Sequence, residues 1–259
     1  MTDNWQLPPG VSPGTHEYFE SDEIANDYDA YFKYTSLFSF DESIVINELG
    51  KGNEESIVAD FGCGTGRALV AAGKQGHRGL AIDMSTKMLR IVQRKALEND
   101  LQIDCIKANL VALDGFRDSS INHGVCLFST LGMIQGDSNR QSALNHFHRM
   151  LKPGGKLILH VHNYWYNLYD PGGPKWMIKN AWQSLRSTEI ERGDRTYPYR
   201  GVYNMYLHVF TRPEIHRLLY NAGFSKLRFI PLSPIRMTPL SNSWFLSGLR
   251  CNGWVIICQ

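Results

Sequence analysis

From residue 56 onward, short apolar runs alternate with longer stretches in which apolar positions recur every three or four residues. The runs at 56–61, 79–83, 103–107, 125–129 and 156–161 read as strands. Between them a helix is predicted over 67–75. Ser85 stands as the N-cap of another, with Met88, Ile91, Val92 and Leu97 as its apolar stripe, and 138–150 repeats the pattern with Leu144, Phe147 and Leu151. Lys152-Pro153-Gly154-Gly155 is turn chemistry between that helix and the next strand. Further on, Thr211-Arg212-Pro213-Glu214 opens a helix through Ala222 that Gly223 stops, followed by strands at 224–230 and 254–258. Strict alternation of strand and helix predicts an α/β fold with a doubly wound, Rossmann-like sheet.

Two stretches break the alternation, which divides the chain into an arm (1–40), a core (41–162), an insert (163–210) and a return to the core (211–259). Leu7-Pro8-Pro9-Gly10-Val11-Ser12-Pro13-Gly14 is punctuation and reads as irregular. Behind it, 24–32 forms a helix carrying Tyr28, Tyr31 and Phe32, either as a lid over a ligand or as the apolar face of a packed helix. The insert is dense in aromatics, from Tyr164 and Trp165 to Tyr206. That density suits the wall of an enclosed pocket and equally the core of a small cap, and different members can serve each.

The strongest chemical signal is Val58-Ala59-Asp60-Phe61-Gly62-Cys63-Gly64-Thr65-Gly66, an apolar strand running into an acid and three alternating glycines. Glycine permits positive φ and lets backbone N–H groups approach a ligand at the mouth of the next helix. A dinucleotide fingerprint would need a small residue where Arg67 stands, so an NAD(P) oxidoreductase is disfavoured. One helix later, His77-Arg78-Gly79-Leu80-Ala81-Ile82-Asp83 ends a second strand in a carboxylate placed to grip ribose hydroxyls.

These residues resemble the class I S-adenosylmethionine-dependent methyltransferases, D-F-G-C-G-T-G matching their first motif and L-A-I-D-M-S-T-K-M-L their second. The resemblance implies strand order 3-2-1-4-5-7-6 with the last strand antiparallel, an N-terminal helical lid, and S-adenosyl-L-methionine as cofactor, leaving as S-adenosyl-L-homocysteine. It places the methionine portion on Gly62, Gly64, Gly66 and Asp60, with Cys63 and Met84 beside them, and the ribose on Asp83. At the third strand's end Asn109 stands where the family has an acid facing the adenine amino group, flanked by Ala108 and Leu110. Phe128 closes the fourth strand, and Ser129 and Thr130 after it read either as site wall or as turn. Tyr28 and Tyr31 join the cofactor set by way of the lid. Asn163, Tyr164, Trp165 and Tyr206, with Ser129 and Thr130, form the acceptor set. The family's acid in the fourth strand is replaced by Asn122. A noncatalytic cofactor-binding module, suggested by the two missing acids, is disfavoured by the intact glycine turn.

Transfer to a protonated O or N needs alignment and a base. Histidine titrates near neutrality, so the candidates are His162, then His208, then His160, each with a structural role as the alternative. His160 and His162 alternate about Val161 and project to one side of the fifth strand. The chain has 259 residues, 43% of them hydrophobic, and a formal net charge of +2 with no basic block. A small-molecule acceptor is therefore expected ahead of protein or nucleic acid, with homodimerisation left open. The five cysteines form no C-x-x-C pair, so no metal or disulfide is expected. Without a membrane-length apolar run or a signal-like start at Met1-Thr2-Asp3-Asn4-Trp5, a cytoplasmic location is expected.

Overall fold

The computed structural model describes residues 7–32, 37–236 and 238–259, without the side chains of 37 and 38; the segment 1–5 lies outside the described residues. Seven strands form one sheet: β1 (Ile57–Phe61), β2 (Arg78–Asp83), β3 (Ile103–Lys107), β4 (Ile121–Cys126), β5 (Leu151–His162), β8 (Leu227–Pro231) and β9 (Gly253–Cys258). Their order is β3-β2-β1-β4-β5-β9-β8, with β9 antiparallel to both neighbours. Counted among core strands alone this is the predicted order, because β6 (Asp194–Tyr199) and β7 (Val202–His208) form a separate hairpin within the insert.

The central strands are apolar throughout because both faces are covered. On one face Phe61, Leu157, Leu159 and Ile256 pack under α6 (Asp137–Met150) and α8 (Arg212–Asn221), with Phe61 stacked on Phe147 at 3.9 Å. On the other, Val58, Val125, Ile158 and Val255 meet α3 (Leu37–Leu49), α4 (Arg67–Gly73) and α5 (Thr86–Glu98). Local signals place these helices. Ser85 accepts the Met88 N–H to start α5, and Thr211 with Glu214 closes a reciprocal capping box on α8.

Three expectations are corrected. The fourth strand begins at Ile121 and has already ended when the chain reaches Phe128 and Ser129, whose φ values of 58° and 63° turn it into a short 3-10 segment. Lys152-Pro153-Gly154-Gly155 is not a separate turn but an irregular start to β5, registered against Ile121 and His123. Asn122 explains that edge: its side-chain oxygen accepts from the Ile57 N–H and the Lys152 ammonium, both at 3.1 Å. The irregular segment before the arm helices is shorter than expected, since Ser12 caps α1 (Pro13–Phe19) with Pro13 in its first turn.

Helix α2 (Asp22–Phe32) follows, and the arm boundary at 40 falls inside α3. The insert holds a 3-10 turn (Tyr164–Tyr169), α7 (Gly173–Ser184) and the β6–β7 hairpin. No described helix is long and apolar enough to cross a membrane.

Candidate active site

At the carboxyl ends of β1, β2 and β4 lies a largely apolar cleft, lined by the arm from Gly10 to Tyr18 on one side and by Asp60, Asp83 and Asn109 on the other. The glycine turn forms its floor. Gly62 (φ 81°) donates to the Ile82 carbonyl at 2.8 Å, and a Cβ there would lie 2.3 Å from the Thr130 methyl. Gly64 (φ 51°) differs: an added Cβ would meet no protein atom within 4 Å, because that side of the backbone faces the cleft.

Asp83 joins the two strand ends. One carboxylate oxygen accepts the Gly64 N–H at 2.9 Å and the other the Ser85 N–H at 2.8 Å. Burial raises its pKa, and these N–H groups, with that of Met84, pull it back. Asp60 lies beneath the turn, 4% exposed, and its carboxyl makes no hydrogen bond among the described residues. Burial pushes its pKa up to about 7, Arg67 opposing and Asp83 adding to the rise. A buried acid without a partner, on the wall of a cleft, is the complement of a cationic ligand.

Most of the expected cofactor set comes together. Cys63, Met84, Asn109 and Leu110 line the cleft beside Asp60, Gly62, Gly64 and Asp83, and Tyr28 and Phe128 close it from above. Gly66 lies below the lining as the left-handed start of α4, and Ala108 packs into the core. Tyr31 is turned away: it is 53% exposed, with the Arg200 guanidinium 4.5 Å from its ring centre. Asn109 departs from the role set by resemblance. Its amide nitrogen donates to the Pro9 carbonyl at 2.9 Å and its oxygen accepts the Val111 N–H, so it ties the arm over the cleft.

The lid is latched at several points. Asp29 on α2 accepts from the Thr65 hydroxyl at 2.7 Å and pairs with Lys95 at 2.5 Å, while Asp27 pairs with Arg200 of the insert at 3.0 Å. Ser85 donates its hydroxyl to the Phe19 carbonyl. Gly10, Val11, Thr15 and Tyr18, read as irregular or left unassigned from sequence, also line the cleft. Ser12-Pro13 was the available signal, marking a helix start that presses the arm onto the core.

The acceptor set scatters. Thr130 lines the cleft, whereas Ser129 is fully buried behind it. Asn163 donates to the Gly248 and Cys251 carbonyls at 2.7 and 2.9 Å, which fastens the start of the insert to the segment just before β9. Tyr164 is 1% exposed and packs with Trp165 and Trp176 as the core of the cap. Tyr206 donates its hydroxyl to Asp194 at 2.6 Å, inside a buried network.

That network also corrects the histidine order. His208 is fully buried, with one ring nitrogen 2.7 Å from Asp194 and the other 2.7 Å from Glu214. Burial alone would lower its pKa, but the two carboxylates raise it, so His208 is a charged clamp between insert and core with no free nitrogen for a substrate. Glu191 stands next to it, paired with Arg140. His160 is fully buried with neither ring nitrogen hydrogen-bonded among the described residues, and burial holds its pKa well below the usual range. His162 lies with its ring centre 5.1 Å away, pushed down to about 3 by burial and Arg236. Both sit on the α3–α4 face of β5 and are not part of the cleft lining, which Arg67 joins; the Arg67 charge reaches His160.

A sequence profile described as a methyltransferase domain matches residues 58–155, which run from β1 through the start of β5 and include the whole cradle. A Geobacillus sp. (strain WCH70) protein provisionally named a methyltransferase is 30% identical over 106 residues, covering 41% of this chain and 42% of the relative, so the match spans less than half of the curated relative's length. Among solved structures, an S-adenosylmethionine-dependent methyltransferase from Methanosarcina mazei superposes with TM-score 0.59 at 22% identity, covering 80% of this chain and 93% of that one. The 1,6-didemethyltoxoflavin-N1-methyltransferase of Burkholderia thailandensis, solved with its substrate and S-adenosylhomocysteine, superposes with TM-score 0.59 at 17% identity over 97% and 92% of the two chains. The fold is that of the class I methyltransferases. The residues present fit the cofactor S-adenosylmethionine named for the Methanosarcina mazei structure: a buried acid with no hydrogen bond among the described residues for an ammonium, an open glycine face, and a second carboxylate at the next strand end.

Proposed function

We propose that this chain transfers the methyl group of S-adenosylmethionine to an O or N of a small organic acceptor. The observation that carries the reading is Asp60, a buried carboxyl raised to about 7 with no hydrogen bond among the described residues, on the floor of a lidded cleft. When bound, the cofactor supplies an electrophilic sulfonium methyl to an in-line nucleophile. The chain's own groups do the rest. Asp60 holds the cationic amino-acid end, Gly64 admits the ligand against its backbone, and Asp83 has lone pairs left for ribose hydroxyls. The arm and α2 exclude water through the Asn109–Pro9 and Asp29–Thr65 bonds.

His162, and after it His160, is the base in this reading; His208 is not, because its nitrogens are taken. A histidine held near 3 is a weak base, so the acceptor it serves is expected to be acidic or already ionised on arrival. A latched lid and a near-neutral surface favour a small acceptor over protein or RNA. The toxoflavin methyltransferase's small-molecule substrate is in keeping with this.

Calorimetric titration with S-adenosylhomocysteine and with NADH tests the cofactor reading, with saturable binding expected for the first alone. Mass spectrometry of a metabolite extract incubated with the enzyme and methyl-labelled cofactor tests the acceptor reading. Label appearing only on protein or RNA would overturn it.

A further inference from the structure

One helix of the insert holds an apolar stripe in solvent. On α7 and its C-cap the side chains of Ile178, Trp182 and Leu185, each a helical turn from the last, are 75%, 53% and 87% exposed. A lone exposed leucine means little; three large apolar side chains in line are a patch. The helix is not free to rotate and hide them, because its other face is fixed by buried Met177 and by Asn180. The Asn180 amide donates to the Glu191 and Asp194 carbonyls at 3.1 and 3.2 Å, and its oxygen accepts the Gly193 N–H at 2.8 Å. Trp176 secures the same side against Tyr164, with ring centres 5.7 Å apart.

The exposed face is divided by chemistry. At 3.6 residues per turn, Pro174, Ile178, Trp182 and Leu185 fall within an arc of about 80°, and Lys175, Lys179 and Arg186 occupy about the next 40°. Leu185 and Arg186 carry the spiral past Ser184, Leu185 in the right-handed helical region and the Arg186 N–H bonded to the Gln183 carbonyl at 3.0 Å. Arg186 lies along the edge of the stripe, its guanidinium 3.6 Å from the centre of the Trp182 ring. No acid interrupts the sequence from Gly173 to Arg186. Asp170, just before the helix, is taken by Arg195 at 3.1 Å, which leaves Glu189 as the first exposed acid beyond it.

An apolar sector beside a cationic one matches a surface that is oily and anionic at once. A second copy of the chain fits poorly, since a two-fold contact through this stripe would bring the same three cations of both copies to one seam. An acidic protein would have to supply a groove shaped to the helix as well. A bilayer containing anionic lipids offers acyl chains and negative head groups side by side, and Trp, Lys and Arg are the side chains that settle at its interface. We propose that α7 docks the insert on an anionic membrane surface, with Ile178, Trp182 and Leu185 entering the acyl boundary and Lys175, Lys179 and Arg186 held among the head groups. The inference is independent of the methyl-transfer reading. It has the chain lie on a bilayer and not cross it, and no described helix is long and apolar enough to cross.

Flotation of the full chain with vesicles of phosphatidylcholine, and of an equal mixture of phosphatidylcholine and phosphatidylglycerol, tests it. Partition into the anionic vesicles is expected to exceed partition into the neutral ones by about tenfold or more, and to fall as salt is raised. Ile178→Ser combined with Leu185→Ser removes two apolar anchors and should cost at least about tenfold, while Lys179→Gln removes one cation and should cost about fivefold. Brominated acyl chains should quench the tryptophan fluorescence of the wild type more than that of Trp182→Phe, which reads insertion as distinct from adsorption. These substitutions alter exposed side chains, so melting temperatures should stay within about 2 °C of the wild type. Binding to neither vesicle, equal binding to both, or a preference that the double-serine variant retains would each overturn the proposal. So would a wild-type dimer that the double-serine variant dissolves while vesicles leave the protein unbound, for the stripe would then be the seat of a second copy.

Discussion

Between Asp60 and Asp83 the cleft is shaped by backbone: positive-φ glycines, N–H groups and two acids that close neighbouring strands. Beside it, the cluster of Asp41, Arg67, His160 and His162 is built from side chains that arrive from α3, α4 and β5, and the clamp at His208 from the insert hairpin and α8. The first region is contiguous in sequence to within one βαβ unit and the second runs from Asp41 to Glu214. A local constellation can be altered only by changing its own few residues, whereas a dispersed one changes with any of its loops. This is why sheet scaffolds hold a cofactor at a fixed switch point and vary the acceptor.

The insert depends on buried charge to stay docked against the core, so the largest effect is expected at His208. His208→Leu leaves Asp194 and Glu214 facing a buried hydrocarbon, a loss of about 3–5 kcal/mol in unfolding free energy. The pH dependence gives a second reading. Because the folded pKa of His208 is raised above its unfolded value, its contribution is fully present below about 6.5 and is lost as pH rises through the folded value. Denaturant melts across pH 5–9 should show that decline in the wild type, and the variant should lack it. A variant of unchanged stability would make the clamp incidental and the insert a self-sufficient cap.

Within the cradle, Gly64→Val separates ligand from fold. No protein atom lies within 4 Å of the added Cβ, so the fold bears only the backbone strain of a β-branched residue at φ 51°. Binding should suffer more, since the branched side chain occupies the ligand's approach. A fall of about a hundredfold in S-adenosylhomocysteine affinity is expected, which is about 2.7 kcal/mol. Calorimetry that found tight binding would remove the glycine turn from the site.

Much of the backbone-built half was legible in the sequence. The glycine turn, Ser85 and the capping box at Thr211 are written in residue spacings of four or fewer, whereas the strand order came from the resemblance those motifs carry. Arg67 was visible only as the residue that spoiled a dinucleotide fingerprint, and nothing local marked its partner Asp41. His208 misled because its residue type alone made it a base candidate, while the acids that occupy it, Asp194 and Glu214, lie 14 and 6 residues away. Tyr164 and Tyr206 misled for a related reason: aromatic density cannot separate a pocket wall from the core of a cap.

Asp60 offers a sharper contrast, because its effect is electrostatic and reversible. Its folded pKa, raised to about 7, means that the acid destabilises the empty protein as pH rises from the unfolded value near 3.9 through 7, where the unfolded chain has already lost the proton. A cationic ligand reverses that trend by favouring the carboxylate. Affinity for S-adenosylhomocysteine should therefore increase with pH below 7, approaching tenfold per unit at about pH 5–6, and binding there should release a proton. Calorimetry in buffers of different ionisation enthalpy measures the release directly. A pH-independent affinity, or the same slope in Asp60→Asn, would mean that another group faces the cation.

The smallest effect sets the two possible uses of Asn109 against each other. The amide donates to the Pro9 carbonyl, a bond that a carboxylate cannot make, so Asn109→Asp should place a negative charge against a carbonyl oxygen and loosen the arm. The expected cost is about 1 kcal/mol, read as a loss of several-fold in S-adenosylhomocysteine affinity together with faster hydrogen exchange along residues 7–19. If the position instead serves the adenine amino group, as the resemblance implies for an acid there, the same substitution should tighten binding by a similar factor and leave exchange in the arm unchanged. The sign of one affinity change thus decides whether this strand end reads the base or holds the lid. Tighter binding would move Asn109 from the side-chain architecture that closes the cleft to the ligand-reading floor it shares with Asp83.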